Sequence, residues 1–190
     1  MLSLVLGACG GDSGHTGTYT AGIDGTRTLS TLTDTEKTKI CLSGITYYST
    51  SVTPADACQV LAIGTTRGFS SDGPMADAEV RSFCSNIEAT CLSATTVSRD
   101  FDKMMCAKKM DCPGTVAEYE TCVSDLRKGL VLAMVGFPHC QALTVADYQS
   151  VEDPSTSLLG TNKPASCQAL DEACSGLIQA VMTNVGPLGR

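Results

Sequence analysis

Cysteine is the residue type with the most chemistry to offer in this chain, and it occurs eleven times in 190 residues. A cysteine sulfur can carry a lipid, ligate a metal, attack a substrate or pair with another cysteine. Cys9 stands apart, at the end of a short apolar run near the amino terminus. Lipid on Cys9 would explain the odd total, because it leaves ten cysteines that can close five disulfides. We expect the following ten to pair among themselves: Cys41, Cys58, Cys84, Cys91, Cys106, Cys112, Cys122, Cys140, Cys167 and Cys174.

The spacing of these ten cysteines argues against a metal site and against thiol redox catalysis. No Cys-x-x-Cys occurs, and the closest two are Cys106 and Cys112. Zinc sites usually gather ligands about two to four residues apart, and thiol oxidoreductases use Cys-x-x-Cys. Pairing in an oxidising compartment therefore fits better than a cytosolic protein with buried free thiols. We predict no metal ligand and no cofactor, since the chain also lacks a glycine-rich phosphate loop and a dinucleotide fingerprint.

The amino terminus resembles the end of a bacterial lipoprotein signal peptide, and Leu6-Gly7-Ala8-Cys9 matches its lipobox. In that motif the small residues admit the backbone to a peptidase, and the thiol accepts the lipid. We predict that residues 1–8 end a signal peptide and that Cys9 is lipidated. No Lys or Arg precedes the apolar run, which is also short, so we expect the natural start to lie further upstream.

Residues 9–30 comprise the lipidated cysteine and a stretch rich in Gly, Ser and Thr. It has almost no apolar residue to bury, which predicts a flexible tether. The tether contains Gly11-Asp12-Ser13-Gly14, the string around the nucleophile of trypsin-like proteases. We reject a protease, because too few residues precede Ser13 to build that fold and its separate His and Asp.

No residue is assigned a catalytic role. His15 lies in the predicted tether and His139 in a loop beside Cys140, and neither has an identifiable partner. Three carboxylate pairs occur, and most of their members sit in the first turns of predicted helices, where negative charge is favoured. Alternatively, two of these carboxylates would serve as acid and base in a small hydrolase or carbohydrate-active enzyme. The pairs are Asp100 with Asp102, Glu118 with Glu120, and Asp171 with Glu172.

Overall charge and hydropathy exclude two classes of protein. The net charge is −7 and the pI is about 4.7, whereas nucleic-acid binding needs clustered Lys and Arg. No stretch approaches the roughly 20 apolar residues of a membrane-spanning helix. We therefore predict no nucleic-acid partner and contact with a membrane through lipid alone.

Helix start signals recur along the chain after the tether. Thr33-Asp34-Thr35-Glu36 has capping-box form and predicts a helix to about Leu42, ending near Gly44. Thr53 followed by Pro54 predicts a second helix, which Gly64 would end. A third helix is expected from Pro74 onward, by its apolar spacing.

The rest of the chain continues the helical pattern, with one exception. Thr115 is the strongest N-cap, and Gly129 leaves open one long helix or two. A last helix from Ala165 would place Cys167 and Cys174 on one face. These are about 10.5 Å apart at the helical rise, too far for a disulfide, so each must bond elsewhere. The exception is residues 46–52, which look strand-prone by their Tyr, Thr and Val content.

A weak repeat is visible, in which a cysteine is followed by a threonine N-cap. Cys112-Pro-Gly-Thr-Val-Ala-Glu-Tyr is echoed by Cys140-Gln-Ala-Leu-Thr-Val-Ala-Asp-Tyr. Each unit is a cysteine, a short loop, a Thr cap and a helix. These patterns predict an all-α fold, a disulfide-stapled bundle of short helices with long loops and little or no β structure. Its domain spans residues 31–184, and residues 185–190 form a tail.

Three stretches carry a resemblance to a known group: Cys91-Leu-Ser-Ala-Thr-Thr-Val, residues 115–122 and residues 164–174. They are similar to cysteine-rich exported proteins predicted in myxobacteria, many of which look like lipoproteins. The resemblance covers roughly residues 30–175 and departs around Cys58, where a Gly-rich loop is usual. The group has no assigned activity, so the resemblance implies export and lipidation and no site residues.

These observations favour a membrane-anchored exported lipoprotein of the cell envelope, facing the periplasm or the cell exterior. We expect a non-enzymatic binding or structural role, with the membrane reached through lipid on Cys9 and with an envelope protein or glycan as partner. The alternative is the small extracytoplasmic hydrolase or carbohydrate-active enzyme.

Overall fold

The computed structural model describes residues 17–69, 75–93, 103–151 and 160–183. These ranges contain eight α-helices, two short 3₁₀ turns and no strand, only an isolated antiparallel bridge between Thr28 and Thr115. The predicted all-α fold is confirmed. The helices are α1 (Asp34–Ser49), α2 (Pro54–Phe69), α3 (Asp77–Ser93), α4 (Lys103–Lys108), α5 (Val116–Val135), α6 (Val145–Ser150), α7 (Ala165–Ala173) and α8 (Leu177–Thr183); the 3₁₀ turns are Leu29–Thr31 and Cys140–Ala142.

Five disulfides staple the helices together and use all ten cysteines that follow Cys9. Cys167 and Cys174 bond to other elements, as the helical rise required. A cross-link of this kind contributes roughly 2–4 kcal/mol, by a mechanism that is still disputed. The bonds are Cys41–Cys106, Cys58–Cys91, Cys84–Cys140, Cys112–Cys174 and Cys122–Cys167.

The described residues bury two apolar clusters. The larger lies between α1, α5, α7, α8 and the residues that follow α4, among them the fully buried Met110. The smaller lies between α2, α3 and residues 137–148. Met134 near the end of α5 packs against both clusters, so α5 is the element that joins them.

Threonine caps explain where the helices begin. The Thr33 and Thr115 hydroxyls each accept from an amide three residues on, and a glutamate reaches back to the cap amide. Thr144 forms the same box with Asp147. Such a box satisfies amides that a helix start leaves unpaired. Both predicted repeat units thus contain a cystine, a loop and a Thr-capped helix.

Two glycines predicted to end helices lie inside them. Helix α1 continues through Gly44 to Ser49, and α2 continues through Gly64 to Phe69. The strand-prone stretch 46–52 is the end of α1 and the turn after it, so that prediction is wrong. The buried stripe of α1 passes on to Ile45 and Tyr48, and burial of this stripe outweighs the roughly 1 kcal/mol that a helical glycine costs.

The carboxy-terminal prediction of a single helix is also wrong. Helix α7 ends at Ala173 and α8 begins at Leu177, with Gly176 between them at φ 75°. That backbone conformation favours glycine. In contrast, α5 runs unbroken through Gly129.

The two helical glycines give a matched test of packing. A Cβ on Gly44 would overlap the buried Tyr119 hydroxyl, whereas one on Gly64 meets no atom within 4 Å. We expect Gly44→Ala to lower the free energy of unfolding by about 1–3 kcal/mol. Gly64→Ala should raise it by about 0.5–1 kcal/mol through helix propensity. Urea unfolding with disulfides intact measures both, and stabilisation by Gly44→Ala would contradict the packing described.

Candidate functional site

The entry segment (residues 17–32) is the part of the described chain that departs most from expectation. The prediction of a flexible tether over residues 9–30 is wrong for residues 17–30. Tyr19 and Leu29 are 4% and 0% exposed, and Ala21 is also buried. These few apolar side chains reach the larger cluster, which offsets the polar composition around them.

Side-chain hydrogen bonds fix Tyr19 between α1 and α5. Its amide donates to Ser124 Oγ at 2.9 Å. Its hydroxyl donates to the Ile40 carbonyl at 2.9 Å and lies 2.6 Å from Ser43 Oγ. One residue thereby connects the entry segment to both helices.

The backbone of the entry segment caps α5. The Val116 amide donates to the Arg27 carbonyl at 3.0 Å, and the Ala117 amide donates to the Gly25 carbonyl at 2.9 Å. These are the first amides of the helix and have no partner within it. The entry segment therefore completes α5.

An ion pair holds the entry segment to the start of α1. Arg27 Nη1 lies 2.7 Å from Glu36 Oε1. This guanidinium and the hydrogen bonds from Thr33 lower the pKa of Glu36 to about 2. The glutamate of the capping box is consequently ionised at any physiological pH, and it serves the helix and the entry segment together.

Aromatic rings surround the point where the described chain begins. The Tyr19 ring lies 5.3 Å from Tyr47 and 6.2 Å from Tyr119, between centroids. Arg127 Cζ lies 4.3 Å from the Tyr47 centroid, and the Tyr47 hydroxyl donates to the Gly17 carbonyl. The arrangement combines edge contacts with a cation–π contact.

Burial disfavours ionisation of two tyrosines of this group, Tyr19 and Tyr119, by raising the pKa of each. It raises the pKa of Tyr19 to about 12, and it raises the pKa of Tyr119 well above its usual range. Neither hydroxyl ionises near neutral pH. The role of this cluster is structural: its hydrogen bonds and ring contacts hold the entry segment against α1 and α5, and we call it the clamp.

Several residues singled out by sequence lie outside the described ranges. These are Cys9, residues 11–14, His15, Asp100 and Asp102. His139 is exposed, at the residue before the second 3₁₀ turn.

The other candidate carboxylates bond to nearby backbone or to lysine, except Glu172. Glu118 accepts from the Thr115 amide and Glu120 from the Ala21 amide. Asp171 accepts from Lys163 Nζ at 2.7 Å. Glu172 is exposed. Three of these four carboxylates are therefore engaged in contacts that hold the fold together.

The described residues contain no group of three or more His, Cys, Asp or Glu side chains arranged to hold a metal. None of their helices is long and apolar enough to cross a membrane.

Comparison with known proteins gave no relatives. No family model matches the chain, and no curated protein or solved structure matches it.

The entry segment did carry a signal in the sequence. Tyr19, Ala21 and Ile23 alternate with polar residues, and the structure buries the first two and half-buries the third. Alternation of this kind marks an extended segment with one face against a core. The Gly, Ser and Thr content of the surrounding residues led to the prediction of a tether, although these three apolar side chains indicate a segment packed on a core.

Replacing Tyr19 tests the clamp and its pH dependence. Tyr19→Phe should lower stability by about 1 kcal/mol at pH 7, because it loses the bonds to Ile40 and Ser43. Since the folded pKa lies above the usual 10, the hydroxyl's contribution is complete below pH 10 and is lost as pH rises toward 12. The deficit of Tyr19→Phe relative to the natural chain should therefore shrink over pH 10–12, measured by rapid-mixing unfolding.

Ser124→Ala is the control for this experiment. It removes the acceptor for the Tyr19 amide and adds or deletes no titrating group. We expect a loss of about 1–3 kcal/mol that stays constant from pH 10 to 12. Equal pH profiles for the two variants would refute the buried-hydroxyl explanation.

Proposed function

We propose that this protein is an exported bacterial lipoprotein, held to the cell envelope by lipid on Cys9 and facing the periplasm or the cell exterior. The observation that carries the proposal is the cysteine count. All ten later cysteines pair in the structure, so Cys9 is the one that remains for another use. Its setting, Leu6-Gly7-Ala8-Cys9, is that of a lipid acceptor.

The compartment follows from redox chemistry. Ten thiols that pair with one another need an environment that lets disulfides persist, and the cytosol of most organisms does not. Several of the sulfurs, Cys41, Cys84 and Cys122 among them, are fully buried. They resemble structural cystines more than exchanging ones. This supports a periplasmic or extracellular domain.

The packing of the entry segment suits an anchor placed before it. A chain held at Cys9 would pull on Gly17, which is already fastened through Tyr47. The load would pass to α1 and α5 through the Tyr19 hydrogen bonds and the Arg27 ion pair. The domain would then be held at a defined place with its fold undisturbed.

The proposed role is non-enzymatic, as a binding or structural component with an envelope protein or glycan as partner. The resemblance to cysteine-rich exported proteins of myxobacteria supports this class and names no partner. The described residues give less support to the alternative, a carboxylate-based hydrolase, because three of its candidate carboxylates have structural partners. Glu118, Glu120 and Asp171 are engaged in the cap, the entry segment and an ion pair.

Lipidation is tested by expressing the chain in a bacterial host behind the basic and apolar first part of a lipoprotein signal peptide. We expect a mature product that begins at Cys9, carries the lipid mass and sediments with membranes. Cys9→Ser should remain unprocessed and unlipidated. Ser13→Ala, four residues on, is the matched control and should behave as the natural chain. A soluble product that keeps the added segment and residues 1–8 would overturn the proposal.

Thiol counting on the same preparations tests the pairing. Alkylation in denaturant should label none of the ten body cysteines before reduction and all ten after it, as a mass change. Free thiols throughout the body would remove the case for an oxidising compartment.

A further inference from the structure

An apolar patch lies at the carboxy-terminal end of α5. Leu132 and Val135 are 74% and 83% exposed, and Val131 beside them is partly exposed. Residues at these spacings share one face of a helix. Single exposed apolar side chains are ordinary, but adjoining ones mark an interaction surface. We call these three residues the α5 patch.

The entry segment approaches α5 from the direction of this patch. Ala21 bonds to Glu120, and Tyr19, earlier in the chain, bonds to Ser124, one turn further along α5. Moving back toward the amino terminus therefore means moving along α5 toward its carboxy-terminal end.

The described chain begins close to the patch. Gly17 bonds to Tyr47, whose ring lies 4.3 Å from Arg127 Cζ. Arg127 precedes Leu132 by five residues, or about 7.5 Å of helical rise. The start of the entry segment and the patch consequently lie along the same, carboxy-terminal half of α5.

The chain length between Cys9 and the domain limits how far the patch can be from the anchoring membrane. Seven residues lie between Cys9 and Gly17, and the eight steps from one to the other span at most about 29 Å. A surface held so near a bilayer meets it at a high effective concentration, so even weak affinity suffices for contact.

Local charge favours the same partner. The chain has twenty Asp and Glu residues, yet none occurs from 126 to 146. Arg127 and Lys128 lie about one turn before the patch on the same helix, and Lys128 Nζ also pairs with Asp125 at 3.0 Å, while 61% of its side chain stays exposed. Cations beside apolar side chains are the composition that settles on anionic lipid headgroups.

We propose that the α5 patch rests on the anchoring bilayer, with its apolar side chains among the headgroups and Arg127 and Lys128 beside anionic phosphates. The inference rests on the proposed lipid anchor and extends it, because it gives the domain one orientation on the membrane. The end of α5 faces the lipid, and the capped start of α5 faces away from it.

Tryptophan fluorescence tests this contact, because the chain contains no tryptophan. Leu132→Trp in the full chain gives a single reporter in the patch. Cys9 is coupled chemically to maleimide-bearing lipid in vesicles of phosphatidylethanolamine and phosphatidylglycerol. We expect emission to shift to shorter wavelength on coupling and to be quenched by brominated phospholipid. Ala169→Trp, at an exposed position of α7, is the control and should show neither change.

A charge in the patch should weaken the contact. Val135→Glu in the Leu132→Trp background should lose roughly half or more of the quenching, because a charged side chain resists the apolar part of the interface. Circular dichroism and thiol counts verify that each variant is folded.

The possible outcomes separate the two proposals. An unshifted emission from the Leu132→Trp variant in tethered vesicles would overturn the membrane contact. So would an emission already shifted before vesicles are added, which would mean that another part of the chain or a second copy covers the patch. Since the coupling is chemical, neither result depends on lipidation in cells. Absence of lipid from Cys9 in cells would overturn the proposed function and leave the vesicle result standing.

Discussion

Disulfides between elements dominate this structure, in which several of the helices are too short to persist alone. Helices α4 and α6 have six residues each and α8 has seven, well below the length at which isolated helices are stable in water. The core contains no tryptophan and few aromatic rings, so each helix brings limited apolar area. Cys106 holds α4 against α1, and Cys174 holds the end of α7 to the loop before α5. Of the three short helices, α4 is cross-linked directly, whereas Cys140 and Cys174 fix the chain just before α6 and α8. These cross-links offset part of the contact area that the short helices lack.

Helix α5 connects the entry segment, α7 and both apolar clusters. Its start is completed by carbonyls of the entry segment, its middle is joined to α7 by Cys122–Cys167, and its end packs between both clusters through Met134. The same helix therefore receives the incoming chain and connects the two cores. Any orientation imposed on α5 is imposed on the whole described domain.

Features that depend on residues only a few positions apart could be predicted from the sequence, because covalent geometry and hydrogen bonding act locally there. The Thr33 and Thr115 boxes were predictable because cap and partner lie three residues apart, and the separate bonding of Cys167 and Cys174 followed from helical rise alone. The passage of α1 through Gly44 was not predictable, because it depends on Tyr119, 75 residues away, packing where a side chain would stand. The prediction of a flexible tether failed over the entry segment for the same reason, because its packing also depends on residues far away in the sequence. Its partners Ser124 and Glu120 lie about a hundred residues on.

The entry segment and the α5 patch constrain one another. A lipid on Cys9 would fix one point of the chain near the bilayer, and a single point of attachment leaves a domain free to rotate about it. The structure fixes the chain from Gly17 onward, because Tyr19 is buried and bonded to α5, and the described chain begins beside the carboxy-terminal half of that helix. If the proposed contact at the patch forms, both attachments act on one half of a single helix, and together they would select one orientation. The Tyr19 hydrogen bonds would then transmit force from the anchor to the fold as well as stabilise it.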